Sequence, residues 1–172
     1  MTSTPAGELL THWTVRIAFG LYVLALAVRL AGRPSAARDR CFRLCWTAGC
    51  LAFVIHVACA FHFFHGWSHA DAYRETARQT QELTGVASGF GLYLNYAFLI
   101  AWLLDAACIW RVAAYASRPR WVSVASNVFF AFMWFNATAV FPTGPTRWVG
   151  VAAFVLLTVL LILRLRRGGE RG

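Results

Sequence analysis

The chain has 172 residues, of which 59% are hydrophobic and 13% charged, with a mean hydropathy of +0.56. That balance excludes an ordinary water-soluble globule and fits a chain solvated by lipid. The net charge of +9 does not mark a nucleic-acid surface: all sixteen basic residues are arginine, and they gather at the ends of apolar runs, where charge reports topology.

Five runs are long enough to cross about 30 Å of hydrocarbon. They predict spans over about 11–30, 42–65, 88–110, 121–141 and 148–165. Pro142 and Pro145 cannot both continue one helix, so the last two runs read as a helical hairpin. Ala25-Leu26-Ala27 has the small-x-small form of a signal-peptide cleavage site. Cleavage there would strand the arginines from Arg29 to Arg43 on the translocated side, so an uncleaved first span is expected.

Arginines near the span ends set the orientation. One side holds Arg29, Arg33, Arg38, Arg40, Arg43, Arg111, Arg118, Arg120, Arg164, Arg166, Arg167 and Arg171, and the other only Arg16, Arg74, Arg78 and Arg147. The expected fold is therefore an all-α bundle of five transmembrane helices forming one domain in an inner (cytoplasmic) membrane. Its N-terminus lies outside and its C-terminus in the cytoplasm.

Threaded this way, His12, His56, His62, His65 and His69 all fall in or near the outer half. His62, His65 and His69 lie within about 60° on a helical wheel, and His65 and His69 have the i, i+4 spacing that offers two nitrogens to a metal. Ser68-His69-Ala70-Asp71 also fits a capping box, and Gly66 suits the position past a helix end. A break there leaves only His62 and His65 in one stripe and starts a short polar helix over 69–84, lying at the interface. Asp71 and Glu75 on that helix can complete an imidazole–carboxylate site for zinc, copper or iron, or remain on a solvated cap. His56 lies deeper. With His12 it makes a candidate axial pair for haem b.

On the third span, Gly91, Asn95, Phe98, Trp102, Asp105 and Ile109 form one inward stripe. Asn127-x-x-Phe130-x-x-x-Trp134 in the fourth repeats the spacing of Asn95-x-x-Phe98-x-x-x-Trp102. Asp105 and Asn127 lie six and seven residues from flanking arginines, about 9 to 10 Å deep, where they can hydrogen-bond each other. Intramembrane amides serve mostly as interhelical glue, whereas an ionised Asp105 must be paired, wetted or protonated, and is a candidate proton or cation site.

Trp13, Trp46, Trp67, Trp110, Trp121 and Trp148 are placed at the interfaces, and Trp102 and Trp134 deeper, where their N–H groups need acceptors. Cys41 and Cys45 are one turn apart, Cys50, Cys59 and Cys108 read as apolar filling, and no CxxC, CxxCH or GxSxG is present. The stretch HGWSHADAYRETARQT from His65 to Thr80, with GLYLNYAF from Gly91 to Phe98, resembles an uncharacterised group of bacterial multi-pass membrane proteins with no assigned activity. The resemblance implies only that the histidine segment and the Asn95 helix belong together.

Three functions fit the sequence. The first is a redox or metal-handling membrane protein with a histidine-rich outer face. The second is a small transporter or proton-handling protein using His56 and Asp105, with lipid and further copies of itself as partners. The third is an accessory or structural subunit of a larger membrane complex.

Overall fold

The computed structural model describes residues 4–169, and Arg171, counted above, lies outside them. Helix α1 covers Pro5–Ala31, α2 Ala36–Phe64, α3 His69–Thr84, α4 Gly91–Ile109, α5 Val112–Ala116, α6 Arg120–Phe135 and α7 Pro145–Gly169. A π-helical turn, Asn136–Val140, prolongs α6, and no strand occurs among the described residues. Helices α1, α2, α4, α6 with its π turn, and α7 are long and apolar enough to cross a membrane. The first two run further than their apolar stretches indicate because capping side chains extend them. Thr4 accepts from the Gly7 N–H ahead of α1, and Ser35 from the Arg38 N–H ahead of α2.

Successive spans run antiparallel and close a ring in the order α1, α2, α4, α6, α7. One end of the bundle carries the histidines and α3, the other most of the arginines. Thr4 stands at the histidine end, and α7 finishes at the arginine end, where Arg164 donates to the Arg29 carbonyl.

The core is aromatic. Tyr22, Phe53, Phe98, Trp102, Phe130 and Trp134 fill the ring's interior with neighbouring ring centroids 5.0–6.3 Å apart, many of them edge to face. Because α4 and α6 are antiparallel, their matching motifs meet inverted, Phe98 on Trp134 at 5.8 Å and Trp102 on Phe130 at 5.9 Å. Trp46 belongs to this core and not to an interface: it is buried, 5.7 Å from both Tyr22 and Trp102. The indole N–H groups of Trp46, Trp102 and Trp134 have no hydrogen-bond acceptor among the described residues. Ring faces packed edge to face are the nearest substitute. The other interfacial tryptophans expected from sequence are exposed.

Where α6 ends, the helix widens. Phe141 N–H reaches back to the Asn136 carbonyl at 3.0 Å, and Thr138 Oγ1 donates to the Trp134 carbonyl at 2.7 Å. Such π turns are most frequent where a helix borders a functional site.

Candidate functional site

Helix α2 stops at Phe64 because the chain turns through the left-handed region at Gly66 and Trp67, with φ of 52° and 62°. A tryptophan at positive φ is strained, and here it is held by its N–H on the Phe61 carbonyl at 2.9 Å and its indole on His62 Nδ1 at 3.3 Å. Ser68 then caps α3 by accepting from the Asp71 N–H, and Gly85 in the left-handed region ends it. Helix α3 lies against the start of α4, and Gly89 makes this possible: a Cβ there would stand 2.6 Å from the Tyr73 ring.

This fold-back covers a cavity of about 320 Å³ at the histidine end. His56, Val57 and Phe61 line it from α2, Glu75, Thr76 and Gln79 from α3, and Asn95, Tyr96 and Phe98 from α4. Trp134 and Ala137 add the α6 side, and His65 the mouth. The roof is polar and the floor aromatic. A shallow groove bounded by Thr11, His65, Asp71, Arg74, Glu75 and Arg78 adjoins it, sharing His65, Glu75 and Gln79 with the cavity.

His56 is the best-defined chemical group in this space. Its Nδ1 lies 3.0 Å from the Thr11 carbonyl of α1. A carbonyl only accepts, so the neutral ring carries its proton on Nδ1 and presents a lone pair at Nε2. No other hydrogen bond of this ring occurs among the described residues.

Of the five residues expected to share a metal, His65, Asp71 and Glu75 border one groove, while His62 and His69 are drawn to other partners. His62 faces Trp67, whereas His69, carried away on α3, bonds Tyr96 Oη at 3.0 Å and stacks on that ring. Asp71 pairs with Arg74, and Glu75 with Arg78 at 2.6 Å. The Ser68 hydroxyl and then Arg74 hold the Asp71 carboxyl below its ordinary range, Arg78 does the same for Glu75, and Glu75 in turn raises Arg78. Carboxylates satisfied in this way are poor free ligands. Among the described residues no three His, Cys, Asp or Glu side chains are grouped to hold a metal ion.

Of the pair expected to hold haem, His12 is exposed and His56 is part-buried with its Nδ1 on the α1 backbone.

Asp105 and Asn127 do not meet. Asn127 is exposed and its amide returns to the Ser123 carbonyl of its own helix at 2.8 Å, while Asp105 is buried and pairs with Arg118. Arg118 also donates to Ser126 Oγ at 2.6 Å and lies over Tyr115, whose hydroxyl accepts from Arg29 at 3.2 Å. In the sequence alone, Arg118 reads only as a topology marker. Its adjacency to Pro119, which turns the chain back over the end of α4, is the signal for its second role. Asn95 is exposed along the cavity and makes no hydrogen bond with the described residues.

Of the cysteines expected as apolar filling, Cys50 and Cys59 are buried and Cys108 is exposed; all five are free thiols. No protein-family model matches the chain, and neither the curated proteins nor the solved structures contain a match.

Proposed function

We propose that the chain is a proton-handling carrier of a bacterial inner membrane that binds a small, partly apolar solute beneath α3. Its N-terminus faces outward, in keeping with the excess of arginines at the opposite end. With that orientation α3 is an interfacial cap, and the cavity opens to the outside. One observation carries the reading: His56, locked through Nδ1 on the Thr11 carbonyl, lines a cavity with a polar roof and an aromatic floor. A cavity of about 320 Å³ is of the size that takes small ligands, and imidazole is the side chain whose charge changes most readily near neutral pH. Five spans are few for a solitary carrier, so the working unit is a homo-oligomer. Helix α7, whose apolar window is least buried, is the face available for pairing.

The resemblance to bacterial multi-pass proteins supports the joint role of the histidine segment and the Asn95 helix. Asp105, already paired, is assigned to structure and not to the proton path.

The test is proton movement into proteoliposomes enclosing a pH-sensitive dye, driven by an imposed gradient. Wild type acidifies the lumen faster than empty vesicles, and His56→Ala abolishes at least 90% of the excess rate while Asn127→Ala retains it. Equal rates for wild type and His56→Ala would end the proposal.

A further inference from the structure

The arginine end contains a second arrangement that the cavity does not use. Arg40, Arg43 and Thr47 lie within about 60° of one another on the α2 wheel, and this stripe faces the end of α4. The contact is fixed by Trp110, whose indole N–H donates to Thr47 Oγ1 at 3.0 Å while the Arg43 guanidinium lies 5.4 Å from its ring centre. Arg111 follows Trp110 and is exposed, as is Arg40.

None of these three arginines has a carboxylate partner among the described residues. Among the described residues, the two acidic groups at this end are taken, Asp39 by Arg38 at 2.6 Å and Asp105 by Arg118. Arg43 makes no hydrogen bond there either. Its Nε is buried without an acceptor, and only its stacking on Trp110 holds it. A guanidinium pre-positioned by an aromatic face has two outward amino groups free for an anion. Trp110, 48% exposed, adds an amphipathic ring of the kind that settles at headgroup level.

We propose that Arg40, Arg43 and Arg111, organised around Trp110, bind the phosphate of an anionic phospholipid at the arginine end. The occupant follows from charge and position. Arg43 lies over the indole, Arg40 precedes Arg43 by about one turn of α2 and Arg111 follows Trp110 in the chain, so the phosphate is taken by these arginines while acyl chains lie along the exposed Leu44, Leu51 and Leu104. This proposal is independent of the cavity and holds for either orientation of the chain.

The experiment is native mass spectrometry of the full chain in neutral detergent, titrated with phosphatidylglycerol, with phosphatidylcholine, and with inorganic phosphate. Wild type retains phosphatidylglycerol in preference to phosphatidylcholine. Arg40→Gln, Arg43→Gln and Arg111→Gln together weaken it by about fivefold per charge, on the order of a hundredfold in all. A control removes three cations of the same end away from Trp110, by Arg33→Gln, Arg166→Gln and Arg167→Gln, and loses less than tenfold. Equal losses in the two variants would reduce the site to a diffuse charge belt and overturn the proposal. Retention of inorganic phosphate as strong as that of the lipid would also overturn it, by showing a soluble-anion site. Trp110→Phe keeps the charges and the bulk, and serves if the triple variant fails to fold: it weakens binding by freeing Arg43, and unchanged binding counts against the geometry.

Discussion

Removal of Arg118 should cost more than its position in a loop suggests. Asp105 is 7% exposed and the Arg118 side chain 17%, so the pair lies largely out of solvent even though Arg118 comes from outside α4. Stripping one partner from a buried pair costs about 3 to 5 kcal/mol, and an exposed pair is worth about 0.2 to 1. Partial access of water to Arg118 places Arg118→Ala just below the buried range, at about 2 to 3 kcal/mol. Asp105→Ala leaves a cation that keeps Ser126 and can reach water, and should lose only about 1 kcal/mol. The double variant Asp105→Ala, Arg118→Ala removes the stranded carboxylate and should be more stable than Arg118→Ala alone. Reversible unfolding of the purified chain in mixed micelles, run as a double-mutant cycle, measures all three. A loss under about 0.5 kcal/mol for Arg118→Ala, or strict additivity in the cycle, would refute the idea that a buried charge pair ties α4 to the turn before α6.

Acid should loosen α3 before the bundle. The carboxyls of Asp71 and Glu75 are held below their ordinary range in the folded state, so they add stability above the unfolded carboxylate value of about 4 and lose it as pH falls through the lower folded values. Hydrogen exchange at pH 6 and pH 3 should show lost protection over residues 69–84 with little change in α4. Uniform loss would contradict this. Gly150→Ala should lower the melting temperature, because a Cβ there would stand 2.5 Å from the Thr138 carbonyl, whereas Gly20→Ala, which meets nothing within 4 Å, should be neutral or slightly stabilising. A Tm ranking in the reverse order would show that α7 does not pack on the π turn. Ser68→Ala removes the α3 cap and should increase exchange at the start of α3 by about fivefold, in line with about 1 kcal/mol for such a cap. Unchanged exchange there would mean that packing on α4 alone holds the helix.

The spans were legible in the sequence because an apolar run bounded by Arg, Pro or Gly has few alternatives in lipid. The break between His65 and His69 was legible as well: Gly66 and the Ser68–Asp71 cap are local signals, and local signals fixed the course of the chain there. The partners of the polar groups were not. Wheel angles put His62, His65 and His69 together only while the helix continues, and two residues at positive φ send His69 to Tyr96. Depth counting matched Asp105 to Asn127, but depth does not specify rotation about the α6 axis, and Asn127 faces outward. The acceptor that fixes His56 is a main-chain carbonyl, to which no residue type points.

The account depends most on the side of the membrane to which the capped cavity opens. Gln79→Cys stands on α3 over that cavity, and native Cys41 is exposed at the arginine end. Treating intact cells with a membrane-impermeant maleimide should label Gln79→Cys at once and Cys41 only after permeabilisation. Labelling of Cys41 in intact cells, with Gln79→Cys protected, would place the cavity on the cytoplasmic side and contradict the proposed function.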